Sequence, residues 1–182
     1  MRKFKVILLA LFVFGILSGC GGSKEAPAPA ETKTEPVKNN IVTIANDVEL
    51  SSMDTGVATD GTAFEAIAAV SEGLYQLDAA GNTIPRMAVK EEVSEDGKVR
   101  IFTIRDAKWS DGQPVTANDF VFAWRRLADP KTASQYGYMI EVAGVKNAGA
   151  VTSGEKPASE LGITAVDDKT LKIELEYPVP FF

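Results

Sequence analysis

Four aspartates, Asp96, Asp111, Asp119 and Asp129, are the side chains of this 182-residue sequence best suited to acid–base chemistry. Two carboxylates flanking a scissile bond are enough for glycoside hydrolysis. Histidine is absent altogether. With it go the Ser-His-Asp and Cys-His relays and every histidine zinc site in this chain, so only carboxylate mechanisms survive. No motif pairs these aspartates, and each stands where a turn, a helix cap or a helix stop is expected. A secreted carboxylate-dependent hydrolase is therefore the weaker reading. No catalytic residue, metal ligand or cofactor site is assigned.

The elements that would position such groups are legible. Ile41 to Ala45 is β-branched and reads as a first strand. Thr62 to Glu72 is alanine-rich, with Phe64, Ile67, Ala68 and Ser71 on one face, and reads as a helix closed by Gly73. Ala80-Gly81-Asn82 is a turn between Leu74–Leu77 and Ile84. Val89–Ser94 and Val99–Arg105 alternate around Glu95-Asp96-Gly97, a strong hairpin signal. A second hairpin joins Ile163–Val166 to Leu171–Glu176 through Asp167–Thr170. Gly137 to Ala150 is less regular, with helical character, and Thr152 to Pro157 is a loop.

Ala107 to Pro130 holds both tryptophans, Trp109 and Trp124. Ser110-Asp111-Gly112-Gln113-Pro114 is a tight turn, because Asp bonds its own backbone and Gly takes positive φ. Thr116 to Asp119 resembles a capping box with Asp in the usual Glu position. Phe120, Ala123, Trp124 and Leu127 then give the helix one apolar face. Arg125 and Arg126 complement its dipole, and Asp129-Pro130 stops it. A tryptophan sugar platform or a basic phosphate site is the alternative, but the apolar stripe makes this stretch scaffold.

The N-terminus carries a different message. Met1 to Lys5 is basic, and Val6 to Leu17 is an uncharged apolar run too short to span a bilayer comfortably, the shape of a signal-peptide core. A buried helix is the alternative for so apolar a segment. Leu17-Ser18-Gly19-Cys20 resembles a bacterial lipobox, and Cys20 is the only cysteine. An intrachain disulfide is thereby excluded, and a diacylglyceryl group on the thiol is expected, since each buried acyl CH₂ contributes about 0.8 kcal/mol of membrane affinity. Residues 1–19 form the expected lipoprotein signal peptide. Residues 20–40 form a lipid-anchored tether rich in Pro, Ala, Glu, Lys and Thr, with a reach on the order of 25 Å. Removing Arg2, Lys3 and Lys5 lowers the basic count from 19 to 16 against 25 acidic residues, so the net charge passes from −6 to −9. That balance disfavours nucleic acid as a partner.

Ala107-Lys108-Trp109-Ser110-Asp111-Gly112-Gln113-Pro114-Val115-Thr116-Ala117-Asn118-Asp119-Phe120-Val121 resembles the signature of extracytoplasmic solute-binding proteins of the peptide/nickel class. Flanking motifs keep the family order: Glu72-Gly73-Leu74, Trp124 to Pro130, Thr132 to Tyr136, Leu161-Gly162-Ile163 and Tyr177 to Phe181. The match runs from Ile41 to Phe182 and is nearest to the oligopeptide-binding branch. The resemblance implies an α/β (mixed α+β) fold: the N-terminal part of a two-lobed periplasmic-binding-protein type II fold, with a mixed sheet and β-hairpins. Residues 41–182 would be the first part of lobe I, and the apolar Pro178 to Phe182 carries the expectation that the sequence is truncated.

The resemblance further implies capture rather than catalysis. An oligopeptide would lie extended between the lobes, bonded through its backbone, and pass to a membrane permease of an ABC importer driven by its ATPases. The family's ligand-facing strand falls on Thr59, Asp60 and Gly61, and the family tyrosine on Tyr136. Met53-Asp54 matches, but Thr55 stands in place of a proline. Asp60-Gly61 also reads as a plain helix lead-in, and Tyr136 as a core aromatic. Relatives that bind dipeptides, nickel complexes, haem or oligosaccharides keep the choice of solute open, and a surface adhesin or signalling lipoprotein that has lost transport is a further alternative.

Overall fold

The computed structural model describes residues 41–180 and Phe182. The signal-like run, the proposed lipidation site Cys20 and the tether lie outside the described residues. The described residues fall in two units, 41–44 and the stretch from Ala45 onward.

The second unit is organised by a four-stranded sheet. Its strands are Ala88–Val93, Val99–Ile104, Ile163–Asp167 and Thr170–Glu174, here β3, β4, β5 and β6. A small separate hairpin, Tyr75–Leu77 (β1) with Thr83–Pro85 (β2), precedes them. The spatial order is β3-β4-β6-β5, and every ladder in both sheets is antiparallel where a mixed sheet was expected. The reason is local: β3–β4 and β5–β6 are both hairpins, and tight turns reverse the chain. At the β3–β4 turn Gly97 adopts φ 69°, and Asp96 accepts from the Ser94 hydroxyl (2.6 Å) and the Lys98 N–H (3.1 Å).

Alternation puts one face of this sheet into the core. Phe102, Ile163, Leu171 and Ile173 are fully buried, and Ile104 nearly so. Helix Ala117–Ala128 covers them by packing on β5 and β6. Numbered in chain order it is α2, since a helix at Gly61–Val70 (α1) comes first. The turn that launches α2 forms as expected: Trp109 N–H donates to Gln113 O (2.8 Å), Gln113 N–H to Asp111 Oδ1 (2.9 Å), and Gly112 has φ 89°. At the cap, Asp119 accepts from the Thr116 N–H (2.7 Å). The buried stripe of α2 differs from the expected one by about a residue. Val121 is buried, Ala123 faces out, and Phe120, Trp124 and Leu127 are half-buried against the core. A wide apolar stripe fixes the side of a helix that faces inward, but its centre is set by what it meets, here Ala117, Val121 and Ala128 against the sheet.

Two further expectations are revised. Ile41 to Ala45 forms no strand: Val42 is 84% exposed, and no neighbouring edge among the described residues supplies a ladder. β-branched residues express strand only when such an edge pairs with them. Helix α1 ends at Val70, two residues earlier than read, where Ser71 turns extended after donating to Ile67 O (2.9 Å). The irregular stretch after residue 137 resolves into short helices Met139–Val142 (α3) and Ala148–Thr152 (α4).

Gly162 marks the tightest junction. Its N–H donates to Lys146 O (2.9 Å), and its carbonyl accepts from Glu174 N–H (2.8 Å). A Cβ there would stand 2.7 Å from both Glu174 O and Lys146 Cβ. Gly162→Ala is expected to cost about 1–3 kcal/mol by overpacking. Urea unfolding checks it: the midpoint should fall while the slope with denaturant is unchanged.

Candidate functional site

The four aspartates singled out above are occupied by their own neighbourhoods. Asp96 and Asp111 brace the turns already described, Asp119 caps α2, and Asp129 accepts from Lys131 N–H (2.9 Å) as the chain leaves α2. The Ser94 hydroxyl, then the Lys98 amide, hold Asp96 below the usual carboxylate range, which favours the ionised form. Among the described residues no group of three or more His, Cys, Asp or Glu is disposed to hold a metal. These carboxylates build the scaffold.

The residues that the resemblance assigns to ligand contact are Thr59, Asp60, Gly61 and Tyr136. Thr59 is exposed, and among the described residues neither its N–H nor its carbonyl pairs with another backbone group. Asp60 is the N-cap of α1, with extended backbone (φ −115°, ψ 155°) and Oδ1 accepting from Ala63 N–H at 2.8 Å. Its carboxyl is held below the ordinary value of 3.8, first by the Ser51 hydroxyl and then by the Ala63 amide. The other oxygen, Oδ2, is buried without a hydrogen-bond partner among the described residues. Asp60 thus acts as the helix lead-in. Gly61, exposed and with open space around its Cα, begins the helix.

Tyr136 is brought to the same place. Its ring meets Phe64 of α1 edge-on, with centroids 5.7 Å apart and planes at 62°. It is half-buried, and its hydroxyl has no hydrogen-bond partner among the described residues. Phe64 is a participant that the sequence placed on a core face, yet it remains 41% exposed beside Tyr136. A second missed contact precedes Thr59. Asp54 forms a bidentate pair with Arg126 of α2, Oδ1–Nη1 2.5 Å and Oδ2–Nη2 2.6 Å. The Arg126 guanidinium, then the Gly56 amide, draw the Asp54 carboxyl down to about 2. Seventy-two residues separate the partners, so no local spacing announces the pair.

The Asp60 cap carries a pH signature. A carboxyl whose folded value is depressed stabilises the fold above its unfolded value and loses that contribution as pH falls through the folded one. The protection of the Ala63 amide against hydrogen exchange is expected to hold from neutrality to about pH 4 and to decline below it. Asp60→Asn, still a good cap, should protect at all pH values, whereas Asp60→Ala should protect at none.

The chain is similar to known proteins in both sequence and fold. Residues 82–182 match the model for bacterial extracellular solute-binding proteins, family 5 Middle. The oligopeptide-binding protein OppA of Bacillus subtilis is 37% identical over 182 residues, all of this chain and 33% of that protein. Among solved structures, the murein tripeptide binding protein MppA of Escherichia coli superposes with a TM-score of 0.70 at 42% identity, covering 73% of this chain and 26% of that one. OppA of Listeria monocytogenes bound to peptide gives 0.69 at 40%, covering 72% and 26%. The chain therefore spans about a third or less of the length of these relatives. Its fold, its motif order and these matches together show that the chain belongs to the family 5 bacterial extracellular solute-binding proteins.

Proposed function

We propose that residues 41–182 are the N-terminal part of lobe I of a substrate-binding lipoprotein serving an ABC importer, and that its solute is an oligopeptide held mainly through its backbone. The observation that carries this reading is the exposed backbone of Thr59, unpaired among the described residues, which runs into the extended Asp60 and on to Gly61, with Tyr136 brought up by its contact with Phe64. An extended peptide offers N–H and carbonyl groups at strand spacing, and an unpaired segment of main chain is the complement to it. Thr59 and Gly61 would bond the ligand main chain, and Tyr136 would donate or accept through its hydroxyl. Asp60 would contribute by fixing the end of that segment. A peptide-bound relative at 40% identity supports a peptide over a nickel complex, haem or oligosaccharide. A carboxylate-dependent hydrolase has less support, because its candidate side chains are consumed in turns and caps.

Binding is tested by calorimetry on the protein carrying both lobes. Peptides of unrelated sequence should bind with similar affinity. Methylating one ligand amide should weaken binding about tenfold, the equivalent of one hydrogen bond of roughly 1–1.5 kcal/mol. Tight binding of a sugar without peptide affinity would move the assignment to another solute, and turnover of a glycoside or peptide would revive the hydrolase.

Membrane attachment is read from Cys20, the tether and the signal-like run, and places the domain on the extracytoplasmic side of the cell membrane, within reach of the permease. Labelling cells with a radioactive or clickable palmitate should mark the wild-type protein. Cys20→Ala should carry no label and leave the membrane fraction. Persistent label in that variant would refute lipidation at this thiol.

A further inference from the structure

The segment that leads into the proposed ligand contact is tied down at both ends, to α2 before it and to Tyr136 after it. Before it, Asp54 takes Arg126 in a two-pronged, charge-assisted grip. The same Asp54 Oδ1 accepts from Gly56 N–H (2.9 Å), while the Asp54 carbonyl accepts from Val57 (3.1 Å) and Ala58 (2.9 Å). Residues 54–58 are thereby closed into one turn, with Gly56 and Ala58 buried. The fit against α2 is close at Gly56, where a Cβ would stand 2.9 Å from Arg126 Nη1 and 3.4 Å from Thr132 Cγ2, so a side chain there would displace the guanidinium from its pair. After it, Phe64 meets Tyr136.

Arg126 also serves the other half of the site. Its carbonyl accepts from the Thr132 hydroxyl (2.6 Å), which fixes the short 3-10 turn Pro130–Thr132 as the chain leaves α2 towards Tyr136. Thr59–Gly61 and Tyr136, distant in sequence, therefore both take their position from the last turn of α2.

We propose that Asp54 and Arg126 are positioning residues for ligand capture: their bidentate pair clamps the 54–58 turn to α2 and sets Thr59–Gly61 in register with Tyr136. The inference rests on reading those residues as ligand-facing. Neither Asp54 nor Arg126 need touch the ligand. The geometry demands two parallel N–H···O contacts from one planar fork, so lysine, a point charge, is an incomplete substitute for Arg126.

The test uses the protein with both lobes and the variants Asp54→Asn, Arg126→Gln, the double variant and Arg126→Lys. Peptide affinity is measured together with amide exchange. Each of the first two should weaken peptide binding about tenfold, and Arg126→Lys about threefold. The double variant should be no worse than the poorer single one within twofold, the signature of two residues acting as a unit. Amides 57–64 should lose protection while those of β3–β6 keep theirs, which separates positioning from general destabilisation. Affinity within twofold of wild type in both single variants would overturn the proposal, and so would unchanged exchange at 57–64. Should the wild-type protein bind no peptide, the ligand reading fails and ligand positioning with it. The exchange measurement then still decides whether the clamp exists.

Discussion

A four-stranded antiparallel sheet can be stable in water only if something covers one of its faces, and here the cover is α2. Phe102 from β4, Ile163 from β5 and Leu171 and Ile173 from β6 present a continuous apolar surface, and Val121, Ala128 and the half-buried Trp124 close over it. Fully burying a side chain of this size contributes about 1.5–3 kcal/mol. The seam therefore dominates any single polar contact on the surface. It also fixes α2 rigidly, and the Thr116–Asp119 cap and the Asp54–Arg126 pair are anchored to that helix. Arg125 extends the anchorage by donating to the Ser159 (3.0 Å) and Ile163 (3.3 Å) carbonyls.

The remaining charge on the sheet is handled by pairing. Arg100 on β4 grips Glu91 on β3, donates to Val179 O (3.0 Å), and lies 4.9 Å from the centre of the Phe182 ring. Phe182 in turn stacks near Phe102 and Trp124, with centroids at 6.4 and 6.2 Å. Glu91 also accepts from the Tyr75 hydroxyl (2.9 Å), and burial together with that carboxylate pushes the phenol up to about 12. The raised value means that the neutral phenol is the form the fold stabilises, a contribution present below pH 10 and lost as pH rises towards 12. This cluster joins the β1–β2 hairpin, the sheet and the chain end through groups that would each be costly to bury alone.

The parts legible in the sequence are those whose signal is local. Gly97 and Gly112 at positive φ, the Thr116–Asp119 cap and both hairpins stand where residue order places them, because a turn or a cap is settled within about four residues. What the sequence left hidden is long-range. Ile41 to Ala45 has the composition of a strand but no edge to pair with among the described residues. The α2 stripe is displaced because the sheet, not the helix, chooses its centre. The Asp54–Arg126 pair spans 72 residues, and its members read separately as a motif match and a dipole complement. Of the candidate site, Asp60 was legible as a helix lead-in, whereas the approach of Tyr136 to Phe64 was not.

There is a physical reason why the search for reactive side chains leads away from the proposed site. Catalysis needs groups with particular pKa values, so it writes itself into residue types such as His, Cys or paired carboxylates. Recognition through the main chain uses N–H and carbonyl groups that nearly every residue possesses, and it leaves no such mark. What it does require is a segment whose backbone is extended, unpaired and held still, and each of those conditions has a cost. An unpaired backbone is tolerated only where water or a ligand can reach it, as at exposed Thr59. Holding such a segment without a ladder requires ties at its ends, here a cap, a salt bridge and an aromatic contact. On this argument the polar chemistry of the sequence is found in the supports of the site, and the site itself is a stretch of ordinary main chain.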